Sequence, residues 1–335
     1  MSRPQSRDHL FPVIDGHVDL LYDLIRHHPE TPLQELPHAW VSLPKLAAGA
    51  VRVIVSVFYC PDACNGPLKA ADYLRYLLTR AGRQLRGVET ILTAEALTSC
   101  YHGEGGPGAL LLLENADPLL EFPPRDLKQL GFRAIGLTHV GRNRIGDGDT
   151  IEEPEGLTSA GRDLVRELDR LGFAIDTAHL SDPAFREVAG IFSGPLFSSH
   201  TGLRAFNDFP RNLDDGQIRT ILSRRGVVGI AACPGLLSEE VKADISHLFR
   251  QIDWFVQKYG AEGVGIGSDL GGYDSVCHGF EDHACFPRLA ELLDGAGYPE
   301  TAVAGIMGEN WYRFFSGLLA DSADGTSSLT VAQSF

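Results

Sequence analysis

Apolar residues come in eight short runs along the chain, and most of these runs are followed by a stretch with helical spacing. The first, Phe11-Pro12-Val13-Ile14, leads into Asp15-Gly16-His17-Val18-Asp19, which reads as a buried strand and the loop it enters. A Pro-rich connection over about 29–44 precedes a second run at 51–59, rich enough in β-branched residues to be a strand. Runs at 109–114, 132–139, 173–179, 195–200, 226–232 and 263–269 complete the series. Between them, residues 68–85 place Leu74, Leu77, Leu78 and Leu85 at helical spacing, ending near Gly87. Further helices are predicted over 159–171, from near 182, over 214–224, over 238–259 and across most of 286–320. The Ser/Ala/Thr-rich stretch 321–335 reads as a loosely held tail.

Strands alternating with helices call for a parallel sheet, and eight such units predict an α/β fold, a closed (β/α)₈ barrel forming one domain over 1–320. The alternative is an open doubly wound sheet. No Gly-x-Gly-x-x-Gly turn follows the first strand, which counts against it. No internal repeat or interdomain linker interrupts the pattern.

Composition narrows the partners. With 29 Lys and Arg against 44 Asp and Glu, the net charge of −15 argues against nucleic acid or an anionic membrane surface. The N-terminus lacks the apolar core of a signal peptide, and no run is long enough to span a bilayer. The six cysteines have no disulfide-framework spacing, and Cys60 and Cys64 are followed by no second metal-type pair. Reduced thiols and a cytoplasmic location are the expectation.

The strand ends carry the chemistry. His17 and Asp19 share one side of the first strand by its period of two. Glu114 ends the third run, His139 the fourth, His179 the fifth, His200 the sixth and Asp269 the eighth. Singly, each has an ordinary structural reading: a pair steadying a turn, a satisfied buried histidine, a turn or cap residue. In a barrel, however, these ends converge on the face where active sites sit. His17, Asp19 and one oxygen of Glu114 would form one zinc site, and the other oxygen with His179 and His200 a second. Two metals about 3.5–4 Å apart could share a hydroxide, because metal binding lowers the pKa of water towards about 7. His139, Arg211 and Asp269 are left to handle substrate.

These residues resemble the membrane (renal) dipeptidase family, binuclear zinc enzymes of the amidohydrolase type. The resemblance covers about residues 11–315. It runs through Asp15-Gly16-His17-Val18-Asp19-Leu20, Leu113-Glu114, Gly136-Leu137-Thr138-His139, Ile175-Asp176-Thr177-Ala178-His179 and Phe197-Ser198-Ser199-His200. It continues through Arg211-Asn212, Gly263 to Asp269, Gly279-Phe280-Glu281-Asp282-His283 and Met307-Gly308-Glu309-Asn310-Trp311. The resemblance implies a dipeptide hydrolase with two zinc ions in which Glu114 bridges the metals. Arg211 would hold the substrate carboxylate, His139 would face the oxyanion, and Asp269 would receive the α-amino group or shuttle the proton. A homodimer is also a family expectation, and acceptance of a D-residue at the C-terminal position is left open by the sequence. Asn115 stands where the family usually has Gly, and Gly271 where it has a second Asp, so both bear on substrate preference. Glu309 replaces a Gly of the last motif. The alternatives are lactone or N-acyl amino acid hydrolysis, or a non-catalytic relative on the same scaffold.

Overall fold

The computed structural model of the chain describes residues 10–239 and 242–320. Nine parallel strands run in chain order: β1 Val13–Val18, β2 Val51–Tyr59, β3 Glu89–Thr90, β4 Gly108–Glu114, β5 Phe132–Gly136, β6 Ala174–Asp176, β7 Leu196–Thr201, β8 Val228–Ile230 and β9 Val264–Ile266. β1 pairs with both β2 and β9, and β2 pairs with β4. Eight strands thereby close into a barrel, and β3 is a two-residue addition along β4. Every residue of β1 and β4 is buried, as expected of parallel strands covered on both faces. The expected (β/α)₈ barrel is therefore the fold.

The helices begin and end where the local chemistry directs. Thr158 caps Ser159–Leu171 by accepting from the Gly161 amide, and Gly172 closes it in the left-handed conformation. Asp214 and Gln217 form a reciprocal capping box at the start of Asp215–Ser223. One boundary differs from expectation. The helix predicted from 238 begins instead at Ile245, because Asp244 accepts from the Ser246 and His247 amides and starts a new helix, Ile245–Tyr259. A separate single turn, Pro234–Leu237, precedes it. The predicted tail over 321–335 lies outside the described residues.

Apolar packing occupies two layers. The larger lies between the strands and the surrounding helices; the smaller fills the barrel interior with Ile14, Val53, Val55, Leu110, Leu112 and Phe197. The terminal helix Asn310–Ala320 plugs the N-terminal mouth. Trp311, fully buried, donates from Nε1 to the Ile266 carbonyl at 2.9 Å and stacks on Phe315. Gly16 and Gly265 make room for it: a Cβ at either would lie 2.4 Å from the indole. Truncating a buried aromatic of this size costs about 3–5 kcal/mol. The plug closes one end of the barrel. The chemistry is at the other.

Candidate active site

A cavity of about 310 Å³ opens at the C-terminal ends of the strands. Asp19, Glu114, His139, His179, His200, Arg211 and Asp269 line it, and His17 lies beneath them, fully buried. All eight residues expected at one site are thus brought together. Their strand assignments shift slightly: His139, His179 and Asp269 each lie three residues past the last residue of β5, β6 and β9. Asp269 and His179 hold left-handed backbone conformations, φ 63° and 64°, which allow their side chains to turn back over the barrel. Barrel closure returns Asp269 to the first strand, where its amide donates to the His17 carbonyl at 3.0 Å. Gly272 allows this approach, since a Cβ there would meet both Asp19 Oδ2 and Asp269 Oδ1 at 2.5 Å.

The imidazoles converge on one carboxylate. Glu114 Oε1 lies 4.0 Å from His17 Nε2, 3.3 Å from His179 Nε2 and 3.9 Å from His200 Nε2. His17 Nε2 is also 3.3 Å from Asp19 Oδ2. The opposite nitrogens are all engaged. His17 Nδ1 and His200 Nδ1 each lie 2.8 Å from Ser199 Oγ, and His179 Nδ1 lies 2.9 Å from Asp149 Oδ2. A carboxylate can only accept, so His179 carries its proton on Nδ1 and turns the Nε2 lone pair towards Glu114. His17 Nε2 and Glu114 Oε1 are buried polar atoms with no hydrogen-bond partner. His179 Nε2 and His200 Nε2 face each other at 3.2 Å. Lone pairs and carboxylate oxygens packed this closely repel unless a cation lies among them, and nitrogen with oxygen donors suits zinc. The residues fit a metal centre. Asp269 clusters with His17 and Asp19 in the same way, so it borders the centre as well as the cavity.

The electrostatics carry the same imprint. Burial disfavours charge on His17, but the adjacent carboxylates of Asp19, 3.3 Å away, and Glu114 outweigh burial and carry the ring up to about 9. Burial pushes the Asp269 carboxyl well up, reinforced by Asp19 and Glu114 and opposed by His17. The cluster thus draws in positive charge, as a proton where no metal ion supplies it.

Sequence reasoning missed the partners that hold these groups. Asp149 lies in the long loop after β5 and contacts both His179 and Arg211, whose Nε is 3.4 Å away. Arg211 is itself buried and donates from Nη2 to the His200 carbonyl at 2.9 Å. Asp62 accepts from His139 Nδ1 at 2.9 Å, beside the Tyr59 hydroxyl at 3.3 Å. Burial works against the Asp62 charge, but His139 outweighs it and holds the carboxyl low. Neither Asp149 nor Asp62 ends a strand, so no periodicity marked them. Asp176 and Ser199 were within reach, because both fall inside the motifs that end in His179 and His200. Asn115 takes a left-handed φ of 73° where glycine would be at ease. Its side chain donates to Cys60 O and Asn65 Oδ1 and accepts from Asn143 and the Asp117 amide.

A closed eight-stranded barrel with histidines and carboxylates gathered at its catalytic face belongs to the class of metal-centred (β/α)₈ barrels. Within that class, this chain belongs to the membrane dipeptidase family, peptidase family M19, which matches residues 6–324. Dipeptidase 3 of Homo sapiens is 27% identical over 333 residues, covering 93% of this chain and 66% of the human protein. The chain spans about two thirds of the length of that relative. A solved dipeptidase of the same peptidase family superposes with a TM-score of 0.82 at 26% identity, covering 95% of this chain and all of that one. A metallo peptidase from Rhodobacter sphaeroides, liganded with a phosphinate mimic of the dipeptide L-Ala-D-Ala, superposes with a TM-score of 0.78. It is 26% identical and is covered completely, against 94% of this chain. Among the described residues no helix is long and apolar enough to cross a membrane.

Proposed function

We propose that this chain is a zinc-dependent dipeptidase, hydrolysing the peptide bond of dipeptides with free amino and carboxyl ends. The convergence of three imidazole Nε2 atoms on Glu114 Oε1, with every Nδ1 already engaged, carries the reading. His17, Asp19 and Glu114 would hold one zinc ion, and Glu114, His179 and His200 the other. Bound zinc supplies Lewis acidity and an activated water at neutral pH.

The chain's own groups do the rest. Arg211 presents a planar guanidinium at the cavity wall and pairs with the substrate's terminal carboxylate. Its orientation is supported by Asp149 and the His200 carbonyl. His139, as the imidazolium paired through Nδ1 with the Asp62 carboxylate, donates from Nε2 to the oxygen that gains charge as the peptide carbon becomes tetrahedral. A donor in that position is worth roughly 3–4 kcal/mol by analogy with oxyanion holes. Asp269 receives the α-ammonium group and carries the proton to the departing amine. The L-Ala-D-Ala mimic seen in the Rhodobacter sphaeroides relative supports acceptance of a D-residue at the C-terminal position.

Metal analysis and a dipeptide panel test the proposal together. The purified protein is expected to carry about two zinc ions and to cleave L-L and L-D dipeptides but not their C-terminal amides. Glu114→Gln should lose metal and activity together, because one side chain serves both ions. Full zinc content and full activity in that variant would remove the binuclear assignment. Hydrolysis of lactones or N-acyl amino acids in preference to dipeptides would redirect the reading to the other chemistry of this scaffold.

A further inference from the structure

Behind the proposed ligands, two histidines from opposite halves of the centre rest on one hydroxyl. His17 comes from β1 and His200 from β7, and their ring centroids are only 3.7 Å apart. Ser199 Oγ lies 2.8 Å from Nδ1 of each, and the serine is fully buried. A hydroxyl has one proton and two lone pairs. That proton goes to Asp176 Oδ2 at 2.6 Å. The other oxygen of Asp176 accepts from the Ser199 and Ala178 amides at 2.8 and 3.1 Å, so the carboxylate is held from three directions. Both lone pairs of the Ser199 hydroxyl then remain for the two imidazoles, and each ring must present Nδ1–H. Each Nε2 is thereby left as a bare lone pair facing Glu114.

We propose that Ser199 is the positioning residue that couples the two metal sites, its single hydroxyl fixing the tautomer and direction of one histidine ligand in each. This rests on the binuclear reading above and goes beyond it, since neither the ligand set nor the reaction requires a shared support. His179 has a separate anchor in Asp149, so the second site has one private support and one shared. The first site has only the shared one for its imidazole. Hydrogen-bond partners behind metal-bound imidazoles typically contribute 10–100-fold in metal affinity. Losing Ser199 should therefore weaken both sites, whereas losing the Asp149 charge should weaken only the second.

The test uses the full chain, stripped of metal and titrated with zinc against a competing chelator. Ser199→Ala is expected to lower affinity at both sites by roughly 10–100-fold each. Asp149→Asn should lower it at one site and leave the other within a few-fold of the parent. A Ser199→Ala protein that binds one ion with parental affinity overturns the coupling, as does one that binds both normally. Should that variant fail to fold, the parent still decides. In the zinc-loaded protein, ¹H–¹⁵N correlation of the histidine rings should show Nδ1–H for both His17 and His200. Opposite tautomers in the two rings would mean that the hydroxyl donates to one of them and Asp176 holds a proton, which overturns the proposal. A parent chain that binds no zinc overturns the binuclear reading and the coupling with it. A parent that binds two ions while Ser199→Ala binds both as tightly overturns the coupling alone.

Discussion

Asp269 is the residue on which the proposed chemistry turns, and its backbone makes it unusually testable. With φ at 63° it occupies the left-handed region, where most side chains are strained but Asp and Asn are tolerated. Asp269→Asn therefore keeps the backbone, the size and the hydrogen-bonding outline while removing the charge and the basicity. Asp269→Ala would confound these with strain. Asp269 borders His17 and Asp19 but is not among the five ligands proposed here. Zinc content in Asp269→Asn is therefore expected to hold, while kcat for dipeptides falls by roughly 10²–10⁴, the range of a lost general acid–base. Zinc, melting temperature and kcat measured on one preparation decide the matter. A kcat within a few-fold of the parent, with a lower melting temperature, would make Asp269 a turn residue and end the proposed mechanism.

At the level of elements, strands and helices were legible and the loops between them were not. Residues 159–171 were readable because leucines recur on one helical face between a Thr cap and a Gly stop. The eight barrel strands were readable because burial on both faces leaves few polar interruptions. Asp244 was missed because an acidic cap inside a longer amphipathic pattern does not break the periodicity. The loops after β2, β4 and β5 are held by polar contacts between residues far apart in sequence, and no local pattern encodes those. Asp117, fully buried, is their centre: it accepts from Arg144 and the Gly66 amide, while Arg144 also reaches Glu121. Burial disfavours the Asp117 charge, but Arg144 and two backbone amides outweigh it and hold its carboxyl below the usual range. A carboxylate with a depressed folded-state pKa stabilises fully above its unfolded value, about 3.9, and loses that contribution as pH falls through the folded value. Asp117→Asn should thus destabilise by about 2–3 kcal/mol at pH 7, read as a lower urea midpoint. The gap between variant and parent should narrow below about pH 4. A gap that stays constant on acidification would show that the carboxylate charge contributes nothing to the latch.

For the whole molecule, closure is what turns scattered strand ends into one site. The sequence reading placed His17 and Asp269 together only by assuming that the last strand returns to the first. The fold makes that pairing directly, with Asp15 Oδ1 accepting from the Ser268 amide at 2.8 Å across the seam. The plug of Trp311 was not legible, since a tryptophan in an apolar helix reads the same whether it packs outside a barrel or closes one. Closure also concentrates charge. Asp19, Glu114 and Asp269 stand together at one mouth of a chain whose net charge is already −15, so the site is held at an electrostatic cost that a cation relieves. A ligand that binds only the folded state stabilises it by RT ln(1 + [L]/Kd), about 4 kcal/mol per site at a thousandfold excess over Kd. Removing the proposed zinc ions with a chelator is therefore expected to lower the melting temperature by roughly 5–10 °C in a protein of this size, and adding zinc back should restore it. Magnesium should restore little, because the imidazole nitrogens suit zinc and not a cation that prefers oxygen. Glu114→Gln provides the internal control: having lost the shared ligand, it should start near the chelated midpoint and respond weakly to either treatment. If the parent melts at the same temperature with and without chelator, and its metal has been removed in the process, the cluster is stable as an empty polar site. The electrostatic argument for a resident metal then fails.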